Sequence, residues 1–84
     1  MDFKTLNKIV KFDTAIEDVY DHLYGILYYL LPVIEVDLQN AGYDNKAIQK
    51  NLEELVDKVG KFNKEIETMV SDISDKYYSE QYGR

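Results

Sequence analysis

Acidic side chains cluster next to the only histidine of the chain. Four carboxylates fall within nine residues, at Asp13, Glu17, Asp18 and Asp21. Asp18 lies four residues before His22, so the two share one face of a helix and could contact one metal ion. One carboxylate and one imidazole do not complete a site, and the Glu-x-x-His repeats of di-iron bundles are absent. We therefore predict no metal site and interpret the cluster as a surface that faces solvent or a partner.

The residue types present give little support for a catalytic function. The chain has no Cys, no Ser-His-Asp candidate set and no Gly-rich phosphate loop. Paired carboxylates such as Glu53 and Asp57 arise by chance in a charged helix, and no cleft is implied that would separate their pKa values. We expect a non-enzymatic protein without a cofactor.

The charge balance and the apolar pattern exclude further classes. A net charge of −6 argues against broad binding to nucleic acid, which needs clustered Lys and Arg. The longest uncharged run, Leu23 to Ile34, has twelve residues, whereas a membrane span needs about 20. No signal peptide is evident. We expect a cytoplasmic protein that binds neither nucleic acid nor membrane, with secretion without a signal peptide as an alternative.

The apolar residues recur at the spacing of packed helices. Alternate steps of three and four select eight apolar positions in the first half: Ile9, Phe12, Ile16, Val19, Leu23, Ile26, Leu30 and Val33. The second half repeats this with Ile48, Leu52, Leu55, Val59, Phe62, Ile66, Met69 and Ile73. Such seams let helices pack side by side. Two equal seams joined by a short loop predict an all-α antiparallel helical hairpin.

The helix ends follow from capping signals. Asp2 is a candidate cap for a short N-terminal segment, residues 1–12, and Thr14 with Glu17 has the form of a capping box. The first long helix therefore covers about residues 14–41, or the chain runs through residues 1–41 as one helix. Pro32 kinks or breaks it. Gly42 ends it, Asp44 or Asn45 caps the second helix over 45–78, and residues 79–84 are expected to fray.

Tyrosine is abundant, and the first long helix is apolar on more than one side. Tyr24, Tyr28 and Leu31 share the side that should face water, while Tyr20, Leu27 and Ile34 form a stripe beside the seam. Helix two alone cannot cover this surface, and an exposed patch of this kind marks an interaction site. We predict that these six residues form an interface.

Three occupants could cover that interface. The N-terminal segment could fold back, a second copy could complete a four-helix bundle, or a different protein could bind. Two smaller questions stay open. Gly60 is either merely tolerated or needed for close packing, and the tyrosines Tyr77, Tyr78 and Tyr82 either pack in a fraying last turn or form a docking tail.

The outline resembles that of the WXG100 (ESAT-6-like) proteins, which are small acidic chains of two long antiparallel helices and are often dimeric. That resemblance implies a structural or secreted partner of a larger helical protein. The chain departs from the family pattern because it has no Trp for the Trp-x-Gly turn. Four residues after Tyr77 and Tyr78, where the export signal carries an acidic residue, stand Gln81 and Tyr82.

We therefore expect one domain, residues 1–84, that forms a homodimer and binds another protein of unknown identity. A small binding or inhibitory role is favoured, by analogy with phage-encoded inhibitors of host or defence proteins. The alternatives are the WXG100-like hairpin partner and a small acidic dimeric DNA-associated protein.

Overall fold

The structure is a computed structural model that describes residues 1–82. Three α-helices and one π-helical turn make up the fold: α1 (Phe3–Gly25), the π turn (Ile26–Leu30), α2 (Leu31–Asn40) and α3 (Asn45–Tyr82). The molecule measures 66 × 17 × 14 Å. No strand occurs within the described residues, so the predicted all-α class is confirmed.

The first helix begins near the N-terminus and runs without a break. Oδ1 of Asp2 accepts a hydrogen bond of 2.7 Å from the backbone N–H of Thr5, which confirms the predicted cap. Hydrogen bonding with Thr5, through its side chain and then its backbone, lowers the pKa of the Asp2 carboxyl. Thr14 starts no new helix, because its hydroxyl donates to the carbonyl of Val10 within α1. Of the two alternatives, the structure shows the continuous helix.

Pro32 does not break the helical path, because a π turn directly precedes the helix in which it lies. A proline ring collides with the carbonyl four residues before it and offers no N–H. The chain avoids this with the wider π turn, in which the N–H of Leu31 donates to the carbonyl of Ile26, five residues back. Pro32 then lies in the first turn of α2, where a missing N–H costs nothing. The π turn inserts one residue and so rotates every later side chain relative to the seam.

The loop between the helices is closed by three local devices. Gly42 adopts a φ of 87°, in the left-handed region where glycine is favoured. Oδ1 of Asp44 accepts a 2.9 Å hydrogen bond from the N–H of Lys46 at the start of α3. Nδ2 of the buried Asn45 donates to the carbonyl of Glu35 at 2.7 Å, which ties the start of α3 to α2. The predicted roles of Gly42 and Asp44 are confirmed.

Helix α3 continues four residues beyond the predicted end at residue 78, to Tyr82. Aromatic rings extend over these last turns, with Tyr77 in contact with Tyr78 and Tyr78 stacked on Tyr82. Gly83 and Arg84, which belong to the segment expected to fray, lie outside the described residues.

Three contacts show how α3 lies against the first helical arm, which we define as residues 3–40. The ring of Phe3 faces that of Tyr77 at 6.4 Å, Tyr20 lies against Gly60, and Glu35 is bonded to Asn45. The residue numbers in these pairs (3 and 77, 20 and 60, 35 and 45) each add to 80. Positions on the two arms whose numbers add to about 80 therefore lie at the same level.

The core between the arms is thin and lies slightly to one side of the predicted seams. Leu27, Leu31 and Val56 form its centre, and Tyr20, Leu23, Leu38 and Leu52 pack around them. Half of the predicted seam residues are partly buried there, for example Ile16, Leu23 and Ile66. The other half lie at the edge, because positions one residue further along, such as Val56 after Leu55 and Val70 after Met69, take the central places.

Candidate interaction surfaces

Tyrosine rings line one side of the molecule along a groove between the arms. The rings of Tyr20 and Tyr24 lie 6.2 Å apart between centroids, and those of Tyr24 and Tyr28 lie 4.4 Å apart, all tilted. One turn separates successive rings, so the helix itself stacks them. Gly60 and Asn63 on α3 face them across a groove of about 480 Å³. We call this surface, formed by Tyr20, Tyr24, Tyr28, Gly60 and Asn63, the tyrosine groove.

Gly60 makes room for the first of these rings. A Cβ atom at this position would lie 2.9 Å from Cε2 of Tyr20, which is closer than real Cβ atoms come. The ring can therefore rest on the backbone of α3 only because no side chain is present. Of the two interpretations of Gly60, close packing is the one that the structure shows.

Asn63 brings an unsatisfied acceptor to the groove. Its side chain is only 8% exposed, yet among the described residues its Oδ1 has no hydrogen-bond partner. A buried amide oxygen without a partner costs roughly 1–3 kcal/mol. A donor group that reached this oxygen from the groove would recover that cost. Asn63 thus distinguishes the groove from a simple gap between helices.

Charged side chains border the groove on α3. Three are acidic and two are basic: Glu53, Asp57, Glu67, Lys61 and Lys64. Asp57 and Lys61 form a 3.0 Å ion pair that is well exposed to solvent. Such a pair contributes little to stability. The border keeps a small acidic excess, which favours a cationic ligand.

The structure brings only half of the predicted interface residues to this groove as accessible surface. Tyr24 and Tyr28 are 42% and 53% exposed, and Tyr20 is half-buried beside them. Leu27 and Leu31 are 5% and 4% exposed, so they form the intramolecular core and are not available to a partner. The placement of Leu31 on the outer side is thereby corrected.

The π turn is the physical reason for this correction. Without an inserted residue, the core position after Leu27 would fall on Leu30. The insertion moves it to Leu31, and Leu30 is left 59% exposed. Ile34 is rotated in the same way and does not line the groove.

A second surface consists of apolar side chains alone. Each arm carries a stripe of residues that stand directly beside the core and recur every seven or eight positions. On the first arm these are Phe12, Val19, Ile26 and Ile34. On α3 they are Ile48, Leu55, Phe62 and Met69. Except for the half-buried Ile26, each is between 37% and 50% exposed.

The two stripes face the same way and lie at matching levels. Phe12 with Met69, Val19 with Phe62 and Ile26 with Leu55 add to 81, and Ile34 with Ile48 adds to 82. Three of the stripe residues on α3 directly precede a buried residue: Leu55 precedes Val56, Phe62 precedes Asn63 and Met69 precedes Val70. Residues that follow a seam position by one, such as Tyr24, Gly60 and Glu67, meet in the tyrosine groove. The stripes therefore form four rungs on the opposite side, which we call the apolar ladder.

The remaining chemical candidates stay apart. Within residues 1–82, no group of three or more His, Cys, Asp or Glu side chains is placed to hold a metal ion. Glu17, Asp18 and Asp21 of the acidic cluster are exposed, while Asp13 is half-buried. Over the same residues, no helix combines the length and apolar character that crossing a membrane requires.

Sequence reasoning missed Asn63 and the ladder for one reason. A regular seam places apolar residues in the core and polar residues at its edge. Here the polar Asn63 lies in the core, and apolar residues such as Phe62 lie at its edge. The signal that could have revealed this is the third apolar position in each heptad, which is typical of helices in bundles. Comparisons with protein-family models, with curated proteins and with solved structures find no match to this chain.

Proposed function

We propose that this protein is a non-enzymatic interaction module that binds another protein through the tyrosine groove. The observation that carries the proposal is the unpartnered Oδ1 of Asn63, buried at a groove that three tyrosine rings line. Tyrosine supplies a large apolar area with a polar tip, which suits a surface that is wet when free and buried when bound.

The groove favours a partner segment that presents an Arg or Lys side chain. A guanidinium or ammonium group can donate to Oδ1 of Asn63 while it lies over the faces of Tyr24 and Tyr28. The carboxylates of Glu53 and Glu67 at the border add attraction for the same charge. A segment that occupies this groove would be removed from its other contacts, so the binding would act as inhibition.

The architecture that presents the groove is proposed as an antiparallel helical hairpin, one domain over residues 1–84, that two copies complete to a four-helix bundle. The start of the first arm contacts the end of α3 through Phe3 and Tyr77, and the end of the first arm contacts the start of α3 through Glu35 and Asn45. This antiparallel arrangement supports the hairpin. A core centred on three side chains gives a small domain a thin stability margin. Self-association would widen that margin.

Two neighbouring tyrosines give a matched test of the groove. Tyr28 lines it, whereas Tyr29 is 71% exposed and lies outside it. Tyr28→Ala should weaken binding of a partner recovered from the native host at least tenfold, about 1.4 kcal/mol or more. Tyr29→Ala should leave Kd unchanged. Both constants are measured by calorimetry with the purified partner, after circular dichroism has shown equal helix content.

The two variants also define failure. Equal Kd values for wild type and Tyr28→Ala, or equal losses in Tyr28→Ala and Tyr29→Ala, would show that the partner does not bind in the groove. A partner whose binding segment carries no cationic side chain would refute the proposed chemistry.

A further inference from the structure

The apolar ladder has no ligand chemistry of its own. Its eight side chains carry no donor, acceptor or charge. It spans residues 12–34 of the first arm, about 33 Å at 1.5 Å per residue, or half of the molecule's length of 66 Å. Beyond the ladder, the next rung at the open end of the arms would pair Thr5 with Lys76, which is polar. The ladder is thus a bounded apolar strip.

We infer that the apolar ladder is the face on which a second copy of this chain docks. The inference rests on the proposed self-association and identifies the surface that carries it. The ladder consists of two stripes of four apolar residues each, so a two-fold rotation can lay apolar stripe against apolar stripe over its whole length. That self-complementarity is what a symmetric dimer interface requires.

The ladder has the area that a stable dimer needs. With exposed fractions of 37% to 50% and side chains of roughly 150–200 Å² each, the ladder exposes about 600 Å². Two copies that meet there bury about 1,200 Å² before their borders are counted, which reaches the range of about 1,200–2,000 Å² for stable interfaces. Leu30, exposed beside the ladder, adds to this area.

Charge opposes the docking of a second copy only weakly at the ladder. A net charge of −6 should repel an identical chain. The exposed positions that border the ladder carry two basic and four acidic side chains, a net charge of −2: Lys8, Lys58, Asp37, Asp44, Glu65 and Asp72. The remaining net charge of −4 lies elsewhere on the chain, for example at Glu53 and Glu67 on the groove side. The face that meets its own copy therefore carries a third of the net charge of the chain, and the repulsion between two docked copies is modest.

Docking on the ladder leaves the tyrosine groove open. The groove lies on the opposite side of both arms, so a dimer joined at the ladders would carry two outward-facing grooves. Each groove could bind one partner segment, and two identical sites raise the apparent affinity for a partner that is itself repeated.

Charge placed on each face tests this arrangement. Light scattering after size-exclusion chromatography at about 100 µM should give wild type a mass near twice the 9.9 kDa of one chain. Phe62→Glu should weaken dimer formation at least a hundredfold, because it buries two charges in the apolar strip. Tyr28→Glu, on the groove side, should stay dimeric.

A second measurement avoids variants that fail to fold. The chain contains no Cys, so Leu55→Cys on the ladder and Tyr28→Cys at the groove each introduce a single thiol. Between about 1 and 100 µM protein, the maleimide reaction of Leu55→Cys should slow at least tenfold, while that of Tyr28→Cys stays constant.

The outcomes separate this inference from the proposed function. A monomeric wild type at 100 µM overturns the ladder as a dimer face and leaves the groove test unaffected. A dimer that Tyr28→Glu disrupts and Phe62→Glu does not, or a thiol at position 28 that becomes protected instead of the one at position 55, places the second copy on the groove and refutes the ladder.

Discussion

The tyrosine groove and the apolar ladder are built on the same two arms and differ in what their side chains can do. The groove offers polar rings, a buried acceptor at Asn63 and charges of both signs along its border. The ladder offers apolar area and nothing else. A partner that comes and goes needs the first kind of surface, which tolerates water. Permanent burial needs the second kind.

The two faces also take their residues from different positions of each heptad. Each heptad carries three inward positions, and the middle of these forms the core. On one side of the core the flanking residues are Tyr24, Gly60 and Glu67, and on the other they are Val19, Phe62 and Met69. Two packed helical arms can therefore present two chemically different faces without any added element, provided that the core positions of the two arms keep facing each other.

The π turn keeps the core positions of the first arm facing α3 on both sides of Pro32. The largest effect that we expect comes from substitutions that test this arrangement. Leu31→Ala should lower the free energy of unfolding by about 2–4 kcal/mol, because it empties a core position that is 4% exposed. Leu30→Ala should lower it by less than about 1 kcal/mol, since this side chain is 59% exposed. Urea unfolding at 1 µM protein, followed by circular dichroism, measures both values.

The order of these two losses decides whether the faces are assigned correctly. If Leu30→Ala costs more than Leu31→Ala, the helix has no inserted residue before Pro32. Leu30 would then belong to the core, and Leu31 would return to the outer side that the sequence pattern predicts.

Local features were predictable because they depend on neighbouring residues. Asp2 bonds a residue three positions away, Gly42 needs only its own φ, and Asp44 caps the turn that follows it. The helical class follows from a periodicity that runs through the whole chain. These parts of the fold need no knowledge of what lies across the molecule.

The sequence did not predict in the same way which of the apolar positions lie at the centre of the core. Val19 and Leu23, or Phe62 and Ile66, fit a seam equally well, and only the opposite arm decides which lies nearer the centre. Asn63 is polar, so the sequence pattern predicts a surface position for it, although it is only 8% exposed. Gly60 acquires its role from Tyr20, forty residues away. The exposure of Tyr24 and Tyr28 was predicted, whereas the burial of Leu27 and Leu31 required the structure.

An intermediate effect should come from Asn63→Leu, which separates stability from binding at the groove. Removal of the unpartnered oxygen should raise the free energy of unfolding by about 1–2 kcal/mol. The same change removes the acceptor for the partner, so the Kd for the partner should rise at least tenfold. Asn51→Leu, at an exposed position of α3 on the ladder side, should change unfolding by less than about 0.5 kcal/mol and leave that Kd unchanged.

A loss of stability in Asn63→Leu would mean that the amide oxygen already has a partner in the free protein. The groove would then resemble the ladder in having no unsatisfied group, and the difference between the two faces would reduce to their charges.

The smallest effect concerns the two helical glycines that the structure distinguishes. A Cβ atom added at Gly25 would meet no atom within 4 Å. Gly25→Ala should therefore raise the free energy of unfolding by about 0.5–1 kcal/mol, because alanine has the higher helix propensity. Gly60→Ala gains the same propensity but displaces the ring of Tyr20, which lies 2.9 Å from the new Cβ. We expect its net effect to lie between zero and a loss of about 1 kcal/mol.

The difference between the two alanine variants isolates the packing of Tyr20 on α3, because helix propensity contributes equally to both. Chemical shifts of the tyrosine rings should change in Gly60→Ala at Tyr20 and its neighbour Tyr24, and remain as in wild type in Gly25→Ala. Equal gains in stability with unchanged ring shifts would show that Tyr20 does not rest on the backbone at Gly60. The groove would then lack its closed end, and only Tyr24 and Tyr28 would remain to separate it from an ordinary helix surface.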